Sequence, residues 1–129
     1  MDKFFFFIYF ISFTTNSLAQ VVINEYSAAN FSNFQDNFGE YEDWFELYNT
    51  GTESFNLDGY YLSDKSNNLT KYQINTPVVI NNQDHLTIFA SGRNTINGNI
   101  IHTNFKIHQT NGNKLYSIII FKYKKPPHF

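Results

Sequence analysis

Beyond residue 20 the hydrophobic positions come in short runs broken by Asn, Gly, Ser and Asp, and no window keeps a helical apolar period. That pattern predicts strands and few helices. Val21, Val22 and Ile23 open the first run, which ends in the polar stretch 27–37. Trp44-Phe45-Glu46-Leu47-Tyr48-Asn49 forms the second and stops at Thr50-Gly51-Thr52. Phe55, Leu57, Tyr60, Tyr61 and Leu62 surround Asp58-Gly59, a turn or bulge signal. Later runs lie at 70–74, 78–80, 86–90, 100–105 and 115–121, and Asn97-Gly98 and Asn111-Gly112 are hairpin signals. Alternation in the second run puts Phe45 and Leu47 on one face and Trp44, Glu46 and Tyr48 on the other. Phe45 and Leu47 are assigned to the core, because the opposite choice buries the charge of Glu46. Many closely spaced short strands in a chain of this length predict an all-β sandwich or barrel.

The first residues follow a different pattern. Met1-Asp2-Lys3 precedes an unbroken apolar run at 4–13, and Ser17 and Ala19 stand at the −3 and −1 positions of a signal-peptidase site before Gln20. The run is shorter than the ~20 apolar residues that a permanent membrane helix needs. A cleaved signal at 1–19 is therefore expected. The mature chain is then secreted or displayed at the cell surface, without membrane attachment.

Composition narrows the function classes. The chain has 129 residues with 19% aromatics, too apolar for disorder and the size of one domain. With no cysteine there is no disulfide framework, thiolate metal site or cysteine nucleophile. A net charge of −2 argues against a nucleic-acid partner. The charges are ordered along the chain. Residues 20–64 hold nine acids and no Lys or Arg, while residues 65–129 hold eight bases and one acid, Asp84. Cross-strand pairing of early acids with late bases is the ordinary reading of such a split. The rival reading is a calcium site in the loop 36–43, with Asp36, Glu40, Glu42 and Asp43 as the oxygen ligands. Their spacing does not match the helix–loop–helix calcium motif.

Several segments, in order, resemble the lamin tail domain family in its bacterial secreted form. They are Ile23-Asn24-Glu25 with Asn30, Asp43-Trp44-Phe45-Glu46-Leu47-Tyr48-Asn49, and Leu57-Asp58-Gly59-Tyr60-Tyr61-Leu62-Ser63-Asp64 with Lys71-Tyr72. Phe89-Ala90-Ser91-Gly92 and His102-Thr103-Asn104-Phe105-Lys106 complete the series. The resemblance implies an immunoglobulin-like β-sandwich over 20–121 acting as an accessory module without catalytic residues. It also implies a further strand after 115–121. Here the basic tail 122–129 with Pro126 and Pro127 follows instead, so the sandwich is expected to lack its last strand and leave an unpaired edge.

No phosphate loop, nucleophile elbow or metalloprotease motif is present. His102 and His108 are too far apart along a strand to share a site without a turn between them. Asp64 and Glu25 are the acids considered as partners of His102, and Asp84-His85 sits in a polar turn. Three residues are candidates for partner binding: Trp44, whose ring can stack on a glycan or cap the sandwich end, and His102 and Asn104 in the segment 102–106. The competing structural reading has that segment's polar side chains bonding to backbone, with Phe105 in the core. The expected function is a secreted non-catalytic module that engages a protein or a cell-surface polymer. The rivals are a calcium-stabilised adhesion domain and a fragment of a larger secreted enzyme. Asn30-Phe31-Ser32 and Asn68-Leu69-Thr70 are glycosylation-type triplets.

Overall fold

A computed structural model describes residues 20–107 and 118–122. The predicted signal segment, His108, the Asn111-Gly112 hairpin and the tail from 123 lie outside the described residues. Within them the regular elements are all strands, as the missing helical period predicts. They are β1 (Val21–Ser27), β2 (Trp44–Asn49), β3 (Phe55–Asn56), β4 (Tyr60–Ser63) and β5 (Tyr72–Gln73). β6 (Val79–Ile80), β7 (His85–Phe89), β8 (Thr95–Asn97), β9 (Ile100–His102) and β10 (Ile119–Lys122) follow.

Strands β1, β2, β7, β9 and β8 form a five-stranded sheet in that order, antiparallel except for the parallel β7–β9 pair. Strands β10, β4 and β5 form a second sheet, and β3 pairs with β6. One hydrophobic cluster draws Phe45, Leu47, Ile88 and Ile101 from the large sheet, Leu62 and Tyr72 from the second, and Ile80 from β6. The sheets therefore face each other across a shared core, an immunoglobulin-like β-sandwich. Phe45 and Leu47 are fully buried, while Glu46 lies on the outer face, where Asn24 Nδ2 donates to its Oε1 at 2.8 Å. Burying one large apolar side chain contributes roughly 1.5–3 kcal/mol, so the face choice in β2 is decided by several such terms.

Local turn chemistry sets the connections. The register Asn97↔Ile100 leaves Gly98-Asn99 as a two-residue hairpin loop, with Gly98 at φ +58° in the first central position, where a type II′ turn requires a positive value. Tyr60 N–H donates to Leu57 O at 3.0 Å and closes the turn at Asp58-Gly59. The runs at 70–74 and 78–80 contribute only two paired residues each, β5 and β6. After β9, Thr103 N–H still donates to Phe89 O at 2.9 Å, and its hydroxyl donates to Phe105 O at 2.8 Å. β10 pairs with β4 on one side, and its other edge carries no strand among the described residues.

Asn49 closes the end of β2 far from Trp44. It is fully buried, its Nδ2 donates to Glu53 O, Ile80 O and Asn81 O, and its Oδ1 accepts from Gly51 N–H. A single side chain thus ties β2 to β6 and to the loop before β3.

Candidate functional site

At the other end of β2 the outer face of the large sheet carries a row of rings. Trp44 on β2 lies opposite Phe89 on β7, and Phe89 lies opposite His102 on β9. Residues opposite one another share a face, so these three side chains stand in line across three strands. Phe89 stacks on the His102 ring at 5.0 Å. The connection between β1 and β2 covers this row. Phe34 packs on Trp44 at 5.1 Å and on Phe89 at 6.0 Å, and Phe38 meets His102 edge-on at 5.2 Å. The face that alternation assigns to solvent is a second, smaller core at this end.

The covering loop is held by polar side chains that are themselves buried. Asn30 is 2% exposed; its Nδ2 donates to Phe34 O and Glu42 O, and its Oδ1 accepts from Asn33 N–H. Asp36 starts a turn in which Gly39 N–H donates to Asp36 O, while Asp36 Oδ1 accepts from Phe38 N–H at 2.8 Å and Glu40 N–H at 3.0 Å. Gly39 sits at φ +77°, a conformation that strains any side-chain-bearing residue. This turn delivers Asn37 and Phe38 to His102. Asn37 Oδ1 lies 2.7 Å from His102 Nε2, and Ser91 Oγ lies 2.8 Å from Nδ1. Asn37 Oδ1 can only accept, so the proton of the neutral ring is assigned to Nε2, and Nδ1 accepts from the Ser91 hydroxyl. Ser91 Oγ in turn accepts from Arg93 N–H at 3.3 Å.

One carboxylate faces this cluster. Asp36 Oδ2 lies 3.9 Å from His102 Nδ1 and 4.0 Å from Arg93 Nε, and accepts no hydrogen bond among the described residues. His102 is 1% exposed, and burial pulls its pKa below the ordinary 6.5, with the Asp36 charge pulling the other way. The ring is therefore neutral at pH 7, consistent with the assigned tautomer.

The candidate residues separate in this geometry. Trp44 and His102 are buried under the loop, so they carry it and present no ring to a partner; Trp44 Nε1 has no hydrogen-bond partner among the described residues. Asn104 is exposed, and its Nδ2 donates to Lys71 O at 2.8 Å. Phe105 is in the core. The four carboxylates considered for calcium turn to different tasks. Asp36 closes its turn, Glu42 faces Lys106 at 3.5 Å, Asp43 Oδ1 accepts from Asn30 N–H at 3.4 Å, and Glu40 is exposed. No group of three or more His, Asp or Glu is placed to hold a metal ion among the described residues. Asp64 pairs with Lys71 at 2.6 Å, so the acid that reaches His102 is Asp36 rather than Asp64 or Glu25.

Early acids do meet late bases, but between the connections and not across the strand ladders. Asp64–Lys71, Asp36–Arg93 and Glu42–Lys106 each join an early acid to a late base. Ser91, His102 and Asp36 include the residue types of a nucleophile relay but not its layout. Serine and aspartate both face Nδ1, whereas a relay puts them on opposite nitrogens, and Ser91 is only 5% exposed. The arrangement can fix a loop; it offers no substrate access to the hydroxyl.

Fold and site together define an immunoglobulin-like module whose loop is braced on a polar cluster. A model of the Lamin Tail Domain family matches residues 14–121, and the chain belongs to that family. No curated relative and no solved structure matches it.

Proposed function

We propose that this protein is a secreted, non-catalytic binding module that engages a protein or polymer outside the cell. The observation that carries the reading is the construction of the 28–43 loop. Its buried polar groups, Asn30 and Asp36, hold it in place, and among the side chains it presents outward are four aromatic rings, with Phe31 85% exposed, and the Glu40 carboxylate. Loops fixed on a rigid scaffold are the usual carriers of recognition. Secretion rests on the apolar run at 4–13 followed by Ser17 and Ala19.

Both halves of the reading can be tested on the full chain bearing a C-terminal tag. Expressed in its own host, it is expected outside the cytoplasm, beginning at Gln20 by N-terminal sequencing. Purified, it is expected to adsorb saturably to isolated cell envelopes from that host. A cytoplasmic protein with an intact N-terminus overturns secretion, and adsorption that never saturates overturns binding.

A further inference from the structure

Four rings of the 28–43 loop reach solvent: Phe31, Phe38 at 53% exposure, Tyr41 at 47% and Phe34 at 36%. Scattered exposed apolar residues need no explanation, but a group on one braced loop does. Asn30 joins the two limbs of this loop. Its Nδ2 donates to Glu42 O and its N–H to Asp43 Oδ1, so the limb carrying Phe31 runs beside the limb carrying Tyr41.

The charge beside these rings is net negative, with Asp36, Glu40, Glu42 and Asp43 on the loop against Arg93 and Lys106. Residues 20–64 contain no Lys or Arg. Arg93, between β7 and β8, and Lys106, after β9, reach the loop, and they face Asp36 and Glu42. Glu40, next to Tyr41, is exposed, and its carboxylate pairs with no described residue. The molecule already displays the recognition chemistry that such a surface supports. The Arg93 guanidinium lies 4.4 Å from the Phe38 ring centroid with Asp36 Oδ2 4.0 Å from Nε. Lys71 repeats the arrangement over Phe105, with Asp64 at 2.6 Å. In both, a cation sits against a ring face and a carboxylate together. Phe31, Tyr41 and Glu40 offer the same two kinds of group with no cation from the described chain.

We propose that this face docks an arginine- and lysine-rich segment of another polypeptide, with its cations laid over Phe31 and Tyr41 and paired with Glu40. The proposal deepens the binding reading above and rests on it. A neutral sugar could stack on the rings and donate hydroxyls to Glu40, but a guanidinium also matches the net negative charge of a loop with four acids at 36–43 faced by two bases.

The test is a titration of the purified full chain with a fluorescent peptide of alternating Gly and Arg, a Gly/Lys version, a Gly/Gln control and a panel of neutral oligosaccharides. Saturable binding of the Arg peptide is expected, weaker for Lys, absent for Gln, and declining with salt. Phe31→Ser combined with Tyr41→Ser is expected to weaken it about tenfold, the sum of two exposed cation–π contacts. Glu40→Gln is expected to weaken it several-fold. The substituted side chains are exposed, so cooperative unfolding should be retained and report that the fold is intact. Arg-peptide binding indifferent to Phe31→Ser/Tyr41→Ser overturns the proposal, as does oligosaccharide binding that this variant abolishes. A self-associated dimer dissolved by the same substitutions also overturns it, because the face is then covered by the chain itself. Envelope adsorption separates the two levels. If the double variant loses it while Arg peptides never bind, the module reading stands and the cationic partner falls. If the unmodified chain does not adsorb, the module reading itself falls.

Discussion

Replacing His102 with Ala tests the outer-face cluster most directly. The substitution removes the imidazole from between Phe89 and Phe38 and deprives Ser91 Oγ and Asn37 Oδ1 of their ring partners. Two hydrogen bonds contribute about 1 kcal/mol each on balance. The space left by the ring adds about 2 kcal/mol, below the range for Phe→Ala because the ring is smaller. Asn37 is exposed and regains water, which lowers the expected total to about 3 kcal/mol. In a domain of this size that corresponds to a fall of roughly 10–20 °C in Tm. Trp44 is the only tryptophan and stands in the same row, so its fluorescence in a urea titration reports both the global transition and the cluster.

Acid provides a second, sharper reading of the same residue. Burial holds the His102 pKa below 6.5, so as pH falls below 6.5 the unfolded chain takes up a proton that the folded chain refuses. The contribution is fully present above pH 6.5 and is lost on acidification until the folded pKa is reached. The slope is at most about 1.4 kcal/mol per pH unit for one proton. His102→Ala lacks this term, so the stability gap between the unmodified chain and the variant should narrow between about pH 8 and pH 5. A loss under about 1 kcal/mol at pH 7.5, or a gap that stays constant or widens in acid, would refute the placement of a neutral buried ring.

Other outcomes follow from the same geometry. Asn49→Ala should cost about 2–4 kcal/mol in urea unfolding, because three carbonyls and one N–H lose their shared partner; Asn49→Asp should cost more, since a carboxylate cannot donate to those carbonyls. Gly39→Ala should cost about 1 kcal/mol, as nothing lies near the added Cβ and the backbone strain at φ +77° is the only penalty. Excess calcium followed by chelator should leave Tm within about 2 °C; a rise of several degrees would show that Asp36, Glu40, Glu42 and Asp43 can gather on an ion after all.

Much of the fold is local chemistry and is legible as such. Alternation in β2 assigns Phe45 and Leu47 to the core, and Gly98 and Gly59 mark turns where the backbone needs them. The candidate site is harder to read because its partners are remote in the chain. Asn37 and His102 are separated by 65 residues, and only the order of the strands brings them together. Glu25 and Asp64 are no less plausible than Asp36 as partners of His102 until the loop is known to fold over the sheet. One signal was present. β2 and β7 each place large apolar residues on both faces, Trp44 beside Phe45 and Phe89 beside Ile88, which a half-exposed strand would not do. Read together with the Asp36-Asn37-Phe38-Gly39 turn pattern, that doubling points to a cover over the outer face.

The cover explains how this loop can carry exposed rings without the sheet beneath it becoming a sticky surface. Phe34 and Phe38 shield Trp44, Phe89 and His102, so the large sheet presents no open apolar strip at that end. Phe31 and Tyr41 are then left on a segment whose backbone is already fixed by Asn30 and Asp36. A partner that lands on a fixed loop loses less affinity to ordering, since that entropy is lost when the domain folds rather than when it binds. Buried polar residues beneath a loop therefore act at a distance on recognition: a change such as His102→Ala should weaken binding through looser ordering of Phe31 and Tyr41, although it touches no partner.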